Sequence, residues 1–198
     1  FYNESKSGSI PPSPIVSCLG KINDISNVVT MSFKSPASKI FMIGKRKDEL
    51  GGSLYYSLHK ELGANVPNPN IDEVKNQIYA ITDSIDNNLI NACHDISDGG
   101  VAVTLSEMTF ENNIGCSVNI SGKLSVEKLL FSETGGFIIE IINSNVDEIK
   151  AIFQSYNLEI DLIGETTKEK YIKINNKIDL NTEEAKELWL NGLRDKIK

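Results

Sequence analysis

Cysteine and histidine are scarce in this chain, and what is present is scattered. The three cysteines, Cys18, Cys93 and Cys116, form no Cys-x-x-Cys pair. That excludes a disulfide framework and a zinc ribbon, and it suits a reducing compartment. The two histidines, His59 and His94, lack the spacing of a metal motif. Basic charge is also short: 20 Lys and Arg stand against 27 Asp and Glu, for a formal net charge of -7. A nucleic-acid surface needs clustered Lys and Arg to displace counterions, so no nucleic-acid partner is expected. No apolar run approaches a membrane span and no signal-peptide pattern is visible, so no membrane partner is expected either and the cytoplasm is the economical location.

What is there is ordinary globular composition. Of 198 residues 40% are hydrophobic and 24% charged, enough for one substantial domain with a single core. The chain opens on Phe1-Tyr2-Asn3-Glu4-Ser5 rather than Met, which reads as a piece of a longer protein. Residues 1–14, rich in Ser, Gly and Pro and ending in Ile10-Pro11-Pro12-Ser13-Pro14, read as an extended linker. Residues 15–198 read as the domain itself.

Strands are expected at 15–22, 28–33 and 39–43, separated by turns containing Asn23-Asp24 and Ser35-Pro36. Ser53 is placed to N-cap a short helix over 54–62, with Gly63 ending it and His59 a surface or packing residue. From Ile71 a helix is expected to bury the stripe Ile71, Val74, Ile78, Ile81, Ile85 and Leu89. Further helices are expected at 101–111, at 146–156 and from Thr182, the last burying Ala185, Leu188, Trp189 and Leu193. Strands are expected at 116–120, 137–142, 158–163 and 171–174. The fold class is therefore α+β, a mixed and largely antiparallel sheet covered by helices.

One loop concentrates chemistry. His94-Asp95-Ile96-Ser97-Asp98-Gly99-Gly100 packs a His, two Asp and a Ser ahead of two glycines and an apolar helix. Glycine there opens the first helical N–H groups to an anion such as phosphate. Asp95 and Asp98 equally suit a magnesium ion. A third reading is local: Ser97 or Asp98 caps the helix, the glycines permit the turn, and His94 is hydrogen-bonded in the core. A second glycine turn, Glu133-Thr134-Gly135-Gly136, enters the strand at Phe137. There too a purely conformational turn with Glu133 in solvent is an open alternative.

The loop and the helix after it, Val101-Ala102-Val103-Thr104-Leu105-Ser106-Glu107-Met108, resemble the His-Asp-Val-Ser-Asp-Gly-Gly segment and following helix of the formylglycinamidine ribonucleotide synthetase (PurL) family, C-terminal half. Phe1-Tyr2-Asn3-Glu4, Ile10-Pro11-Pro12-Ser13-Pro14, Glu49-Leu50-Gly51-Gly52-Ser53 and the Leu188-Trp189 helix are similar to that family's segments in the same order. The resemblance implies an AIR synthase-like C-terminal domain of an ATP-dependent carbon–nitrogen ligase. Its implied reaction takes formylglycinamide ribonucleotide, ATP and glutamine-derived ammonia to the amidine, ADP and phosphate, with magnesium on the phosphates.

It further implies that residues 1–14 lead from an upstream ATP-binding domain. No catalytic residue is assigned within this chain, so in isolation it is expected to fold without catalysing. His94, Asp95, Ser97, Asp98, Gly99, Gly100, Glu133, Thr134 and Gly135 are implied to face substrate or nucleotide, with no metal ligand assigned. Partners implied are the upstream domains, a glutaminase subunit and a small accessory subunit. Two departures stand out: Thr134 replaces a serine, and no arginine follows the glycine turn.

Overall fold

The computed structural model describes residues 3–10, 15–22 and 24–192. Phe1-Tyr2, the prolines of the 11–14 segment, Asn23 of the first expected turn and Leu193 lie outside them. In chain order the elements are β1 (Asn3–Ser5), β2 (Gly8–Ile10), β3 (Lys39–Ile43), α1 (Leu54–Leu58), α2 (Ile71–Asp86), β4 (Ala92–Asp95), α3 (Gly100–Met108) and β5 (Gly115–Val118). They continue with α4 (Val126–Phe131), β6 (Phe137–Ile141), α5 (Val146–Ser155), β7 (Ile160–Thr167), β8 (Tyr171–Ile174), β9 (Ile178–Asn181) and α6 (Thr182–Asn191).

Seven strands form one sheet in the order β4-β6-β3-β7-β5-β8-β9. Every pairing is antiparallel except β5 with β8. The expected mixed, largely antiparallel sheet under helices is the fold observed.

Both faces of the sheet centre are covered, and the sequence shows why. Side chains alternate faces along a strand, and β3 reads Lys-Ile-Phe-Met-Ile with no polar alternate after its first residue. Ile40 and Met42 join Val101, Leu105 and Met108 of α3 and Leu129 and Leu130 of α4 in one cluster. Phe41 and Ile43 join Ala80 and Ile81 of α2 and Ile149 and Phe153 of α5 in the other. β6 repeats the pattern, with Ile138 on the α3 side and Ile139 and Ile141 on the α2–α5 side. Glu140 breaks the run, yet it is fully buried. Its two oxygens accept the amides of Lys34 at 2.7 Å and Ser35 at 2.9 Å, which is how a buried carboxylate is tolerated.

Several sequence expectations are corrected. Residues 15–22 form no strand: Ile15, Val16 and Leu19 are almost fully exposed, because no described strand edge pairs with them. Residues 28–33 make only a single bridge, Thr30 with Ala92, since the chain leaves the sheet to bond Phe33 N–H to the Met108 carbonyl. Within the expected linker, residues 3–10 form the β1–β2 hairpin.

α1 stops at Leu58, short of 62, with Lys60 at φ 59°. The helix after the glycine loop ends at Met108, where Thr109 caps it, and β7 starts two residues later than expected and runs on to Thr167. α4, β4 and β9 lie outside the sequence expectations; β4, Ala-Cys-His-Asp, has no β-branched or aromatic residue to mark it as a strand.

Two helix faces differ as well. α2 buries Gln77, Ala80, Ile81 and Ser84 while Ile71 and Ile78 are exposed, so its packed stripe is rotated from the apolar one. On α6 Leu188 and Trp189 are exposed and Ala185 packs on the core. The indole N–H of Trp189 reaches Glu107 instead of burying its ring.

Candidate functional site

Strand register brings four loops to one end of the sheet. Asp95 pairs with Phe137, Phe137 with Ile43, and Ile43 with Ile160. The chain leaving β3 and β4 and the chain entering β6 and β7 therefore meet at the same level. The ladder continues one step into the glycine loop, where Ile96 N–H bonds the Gly136 carbonyl at 2.8 Å.

The 96–100 loop is a tight turn closed by Gly100 N–H on the Ser97 carbonyl at 3.0 Å. Gly99, at φ 77° and ψ 1°, holds the left-handed position that glycine fills in a type II turn. Gly100 sits at φ 66°, and a Cβ there would lie 2.7 Å from the Leu130 carbonyl oxygen. Both glycines are thus demanded by backbone geometry and by contact with α4.

Neither Ser97 nor Asp98 caps α3, whose N-cap is Gly99 with no side-chain hydrogen bond. The local capping reading is corrected. The anion at this helix start comes from elsewhere in the chain: Glu133 Oε1 accepts the Gly99 amide at 2.9 Å and the Leu54 amide at 2.8 Å. One carboxylate oxygen therefore ties the starts of α1 and α3 together, a placement favoured by the partial positive charge of helix N-termini. Glu133 is therefore half-buried and bonded, not in solvent as in the purely conformational turn. Ser53 does N-cap α1 as expected, and His59 is exposed at its end.

The other expected residues divide by exposure. Asp95, Ser97 and Asp98 are exposed beside the buried glycines. His94 is largely enclosed: its Nε2 lies 2.9 Å from Glu107 Oε2 and its Nδ1 3.1 Å from Asp95 Oδ1. The second Glu107 oxygen accepts the Trp189 indole N–H at 2.9 Å, so α3 joins His94 to α6. Cys93, one residue before, has its thiol pushed up to about 12 by burial and by the charge of Asp95, which makes it inert.

Thr134 is buried and its hydroxyl donates to Glu49 Oε2 at 2.7 Å, with Ser132 Oγ at 2.9 Å. Gly135 is exposed, with nothing within 4 Å of a Cβ built on it.

Sequence reasoning missed Arg46. No arginine follows the 133–136 turn, but one reaches it from the end of β3. Its guanidinium donates to the carbonyls of Thr134, of Gly135 at 2.8 Å and of Gly44 at 3.3 Å. Burial holds Arg46 down to about 10, partly offset by Glu49. Arg46 stands between Lys45 and Lys47, and nothing in that local string distinguishes it, so only the fold marks it as buried. On the α2 side of this sheet end an open cleft of about 500 Å³ is lined by Gly44, Lys45, Glu73, Gln77 and Asp161. None of the 94–100 residues lines it.

Among the described residues no group of three or more His, Cys, Asp or Glu is placed to hold a metal, and no helix is long and apolar enough to cross a membrane. A magnesium ion is commonly held by one or two carboxylates plus phosphate and water oxygens. Asp95 and Asp98 are exposed carboxylates of that chemical kind, with one Asp95 oxygen already against His94 Nδ1.

Comparison with known proteins places the chain. It is 39% identical, over its whole length, to the phosphoribosylformylglycinamidine synthase subunit PurL of Methanothrix thermoacetophila. It is 36% identical over 92% of its length to the subunit of that name from Thermococcus sibiricus. The chain spans 27% and 26% of the lengths of those two relatives.

Among solved structures, Thermotoga maritima PurL complexed with FGAR aligns over 82% of this chain and 30% of its own, with TM-score 0.71 and 15% identity. A thiamine-monophosphate kinase from Stenotrophomonas maltophilia shares the fold more distantly, over 76% of this chain and 54% of its own, with TM-score 0.55 and 14% identity. The family model described as AIR synthase related protein, C-terminal domain, matches residues 36–176. The chain belongs to the AIR synthase related family, and what it carries is that family's C-terminal domain.

Proposed function

We propose that this chain is the closing domain of a purine-pathway ligase that converts formylglycinamide ribonucleotide, ATP and glutamine-derived ammonia to formylglycinamidine ribonucleotide, ADP and phosphate. Identity of 39% over the whole of this chain, which spans 27% of that relative, to a PurL subunit supports the family of reaction. One observation carries the local role: Asp95, Ser97 and Asp98 are exposed at the sheet end where Glu133 and Thr134 also lie. In this reading residues 15–198 form the domain and residues 1–14 lead from an upstream ATP-binding domain.

The loop residues His94, Asp95, Ser97, Asp98, Gly99 and Gly100, with Glu133, Thr134 and Gly135, border the nucleotide or substrate. Asp95 and Asp98 are the residues that would hold magnesium, which when bound neutralises phosphate charge. The chain supplies no catalytic base or nucleophile of its own, and the reacting groups come from upstream domains. A glutaminase subunit and a small accessory subunit complete the assembly, in the cytoplasm.

A second reading makes the domain a scaffold that completes a two-fold-like arrangement of repeated halves. Glu133 favours it, because this carboxylate already fills the start of α3 from within the chain. Asp98→Ala in the full-length enzyme separates the two. The ligand role predicts turnover reduced by at least about ten-fold with an unchanged melting temperature. Turnover unchanged would favour the scaffold role instead, with the melting temperature also little changed because Asp98 is exposed and caps nothing.

A further inference from the structure

Arg46 is a buried cation, 9% exposed, and among the described residues its hydrogen bonds go to carbonyls and to no carboxylate. Burying a guanidinium is costly unless its donors are used. Here the planar fork is used on three backbone carbonyls, Thr134 and Gly135 across the site and Gly44 beside it. Its Nε–H is enclosed with no acceptor among the described residues. Such a donor costs stability on its own account.

The surroundings fix this fork tightly. Gly136, at φ 146°, approaches so closely that a Cβ would lie 2.3 Å from the Ile43 carbonyl and 2.9 Å from Arg46 Nη2. A Cβ on Gly44 would lie 3.1 Å from the Gly135 carbonyl. The turn after β3 and the turn before β6 are therefore in direct contact, with the guanidinium pinned between them.

Farther along the same segment Glu49 accepts Thr134 Oγ1 with its carboxylate and Ser132 Oγ with its carbonyl, the latter at 3.1 Å. Residues 132, 134 and 135 are all held from one side by the chain between Arg46 and Glu49. The residue left between them, Glu133, turns its carboxylate the other way, onto Leu54 and Gly99.

We infer that Arg46 is a positioning residue: by clamping the Thr134 and Gly135 carbonyls it aims Glu133 at the starts of α1 and α3. It acts through Glu133 and touches neither helix start itself. This concerns the chain alone and stands apart from the reaction proposed above, so neither result decides the other. Lysine cannot replace the fork, because an ammonium is a point donor and the two carbonyls across the site need two parallel N–H groups.

The test is amide hydrogen exchange by NMR on the 198-residue chain, unaltered and as Arg46→Lys, Glu133→Ala and the double variant. Arg46→Lys is expected to speed exchange at Leu54 and Gly99 about ten-fold, the loss of one hydrogen bond of typical net strength. The Ile40 and Ile138 sheet amides should keep their rates, and adding Glu133→Ala should bring little further change. Unchanged protection at Leu54 and Gly99 in Arg46→Lys overturns the inference. So does equal acceleration at every amide, which marks a merely structural arginine.

Should Arg46→Lys not fold, the unaltered chain still decides. Leu54 and Gly99 amides and the Arg46 guanidinium protons should share one opening rate, and independent rates overturn the proposal.

Discussion

Glu133 Oε1 lies 2.9 Å from the amide of Gly99, 34 residues earlier in the chain, and the same oxygen holds the Leu54 amide. Charge-assisted hydrogen bonds are worth about 1.5–3 kcal/mol each. Glu133→Ala should therefore destabilise the chain by about 1–3 kcal/mol, allowing for partial exposure, and Glu133→Gln by less because an acceptor remains. Urea unfolding checks this; a midpoint shift equal for Ala and Gln would show that charge, not acceptance, is what matters.

Gly100 and Gly135 make opposite forecasts. Alanine at Gly100 meets the Leu130 carbonyl at 2.7 Å in a left-handed backbone, whereas alanine at Gly135 meets nothing within 4 Å. Gly100→Ala should cost about 2 kcal/mol or more, and Gly135→Ala less than about 0.5 kcal/mol. Thermal melts of the two variants give the comparison directly.

Glu140 is fully buried and satisfies two amides of the 28–35 segment. Glu140→Ala removes both acceptors and leaves two N–H groups without partners, a loss of about 3 kcal/mol or more. Amide exchange at Lys34 and Ser35 should rise first. Protected amides there in Glu140→Ala would refute the assignment.

Trp189 is the only tryptophan in the sequence, and its indole N–H is bound to Glu107 while its ring lies 5.8 Å from that of Phe110. Glu107→Ala should shift its emission to longer wavelength and increase quenching by iodide. The same change removes the partner of the largely enclosed His94, so stability should fall by about 1–3 kcal/mol in urea unfolding.

Thiol chemistry should divide the three cysteines. Cys18 is exposed, whereas the Cys93 and Cys116 thiols are pushed up to about 12 by burial, from an ordinary 9.0. One thiol should react quickly with a disulfide reagent at pH 8, and two only on unfolding. The sign for stability follows from linkage: the unfolded chain loses these protons first. The contribution is complete below about pH 9 and is lost as pH rises toward 12. Urea midpoints measured from pH 8 upward should fall accordingly, and a Cys93→Ala, Cys116→Ala variant should lose that part of the slope.

Long periodic segments were legible in the residues themselves. The uninterrupted apolar strand at Lys39–Ile43, the helices from Ile71 and Val146, and the Ser53 cap follow from local side-chain spacing and capping chemistry. The resemblance in the His94–Gly100 string identified the family, because it depends on residue order alone. Tertiary structure decided the rest. The apolar residues at 15–22 read as a strand, yet a strand exists only where an edge accepts its hydrogen bonds, and none of the described strands does. Trp189 is exposed although its spacing predicts core, because helical spacing says which residues share a face but not whether a neighbour covers it. Above all, the sequence places Arg46, Leu54, Gly99 and Glu133 far apart. Only the common end of β3, β4 and β6 puts a buried guanidinium behind one carboxylate and two helix starts in front of it.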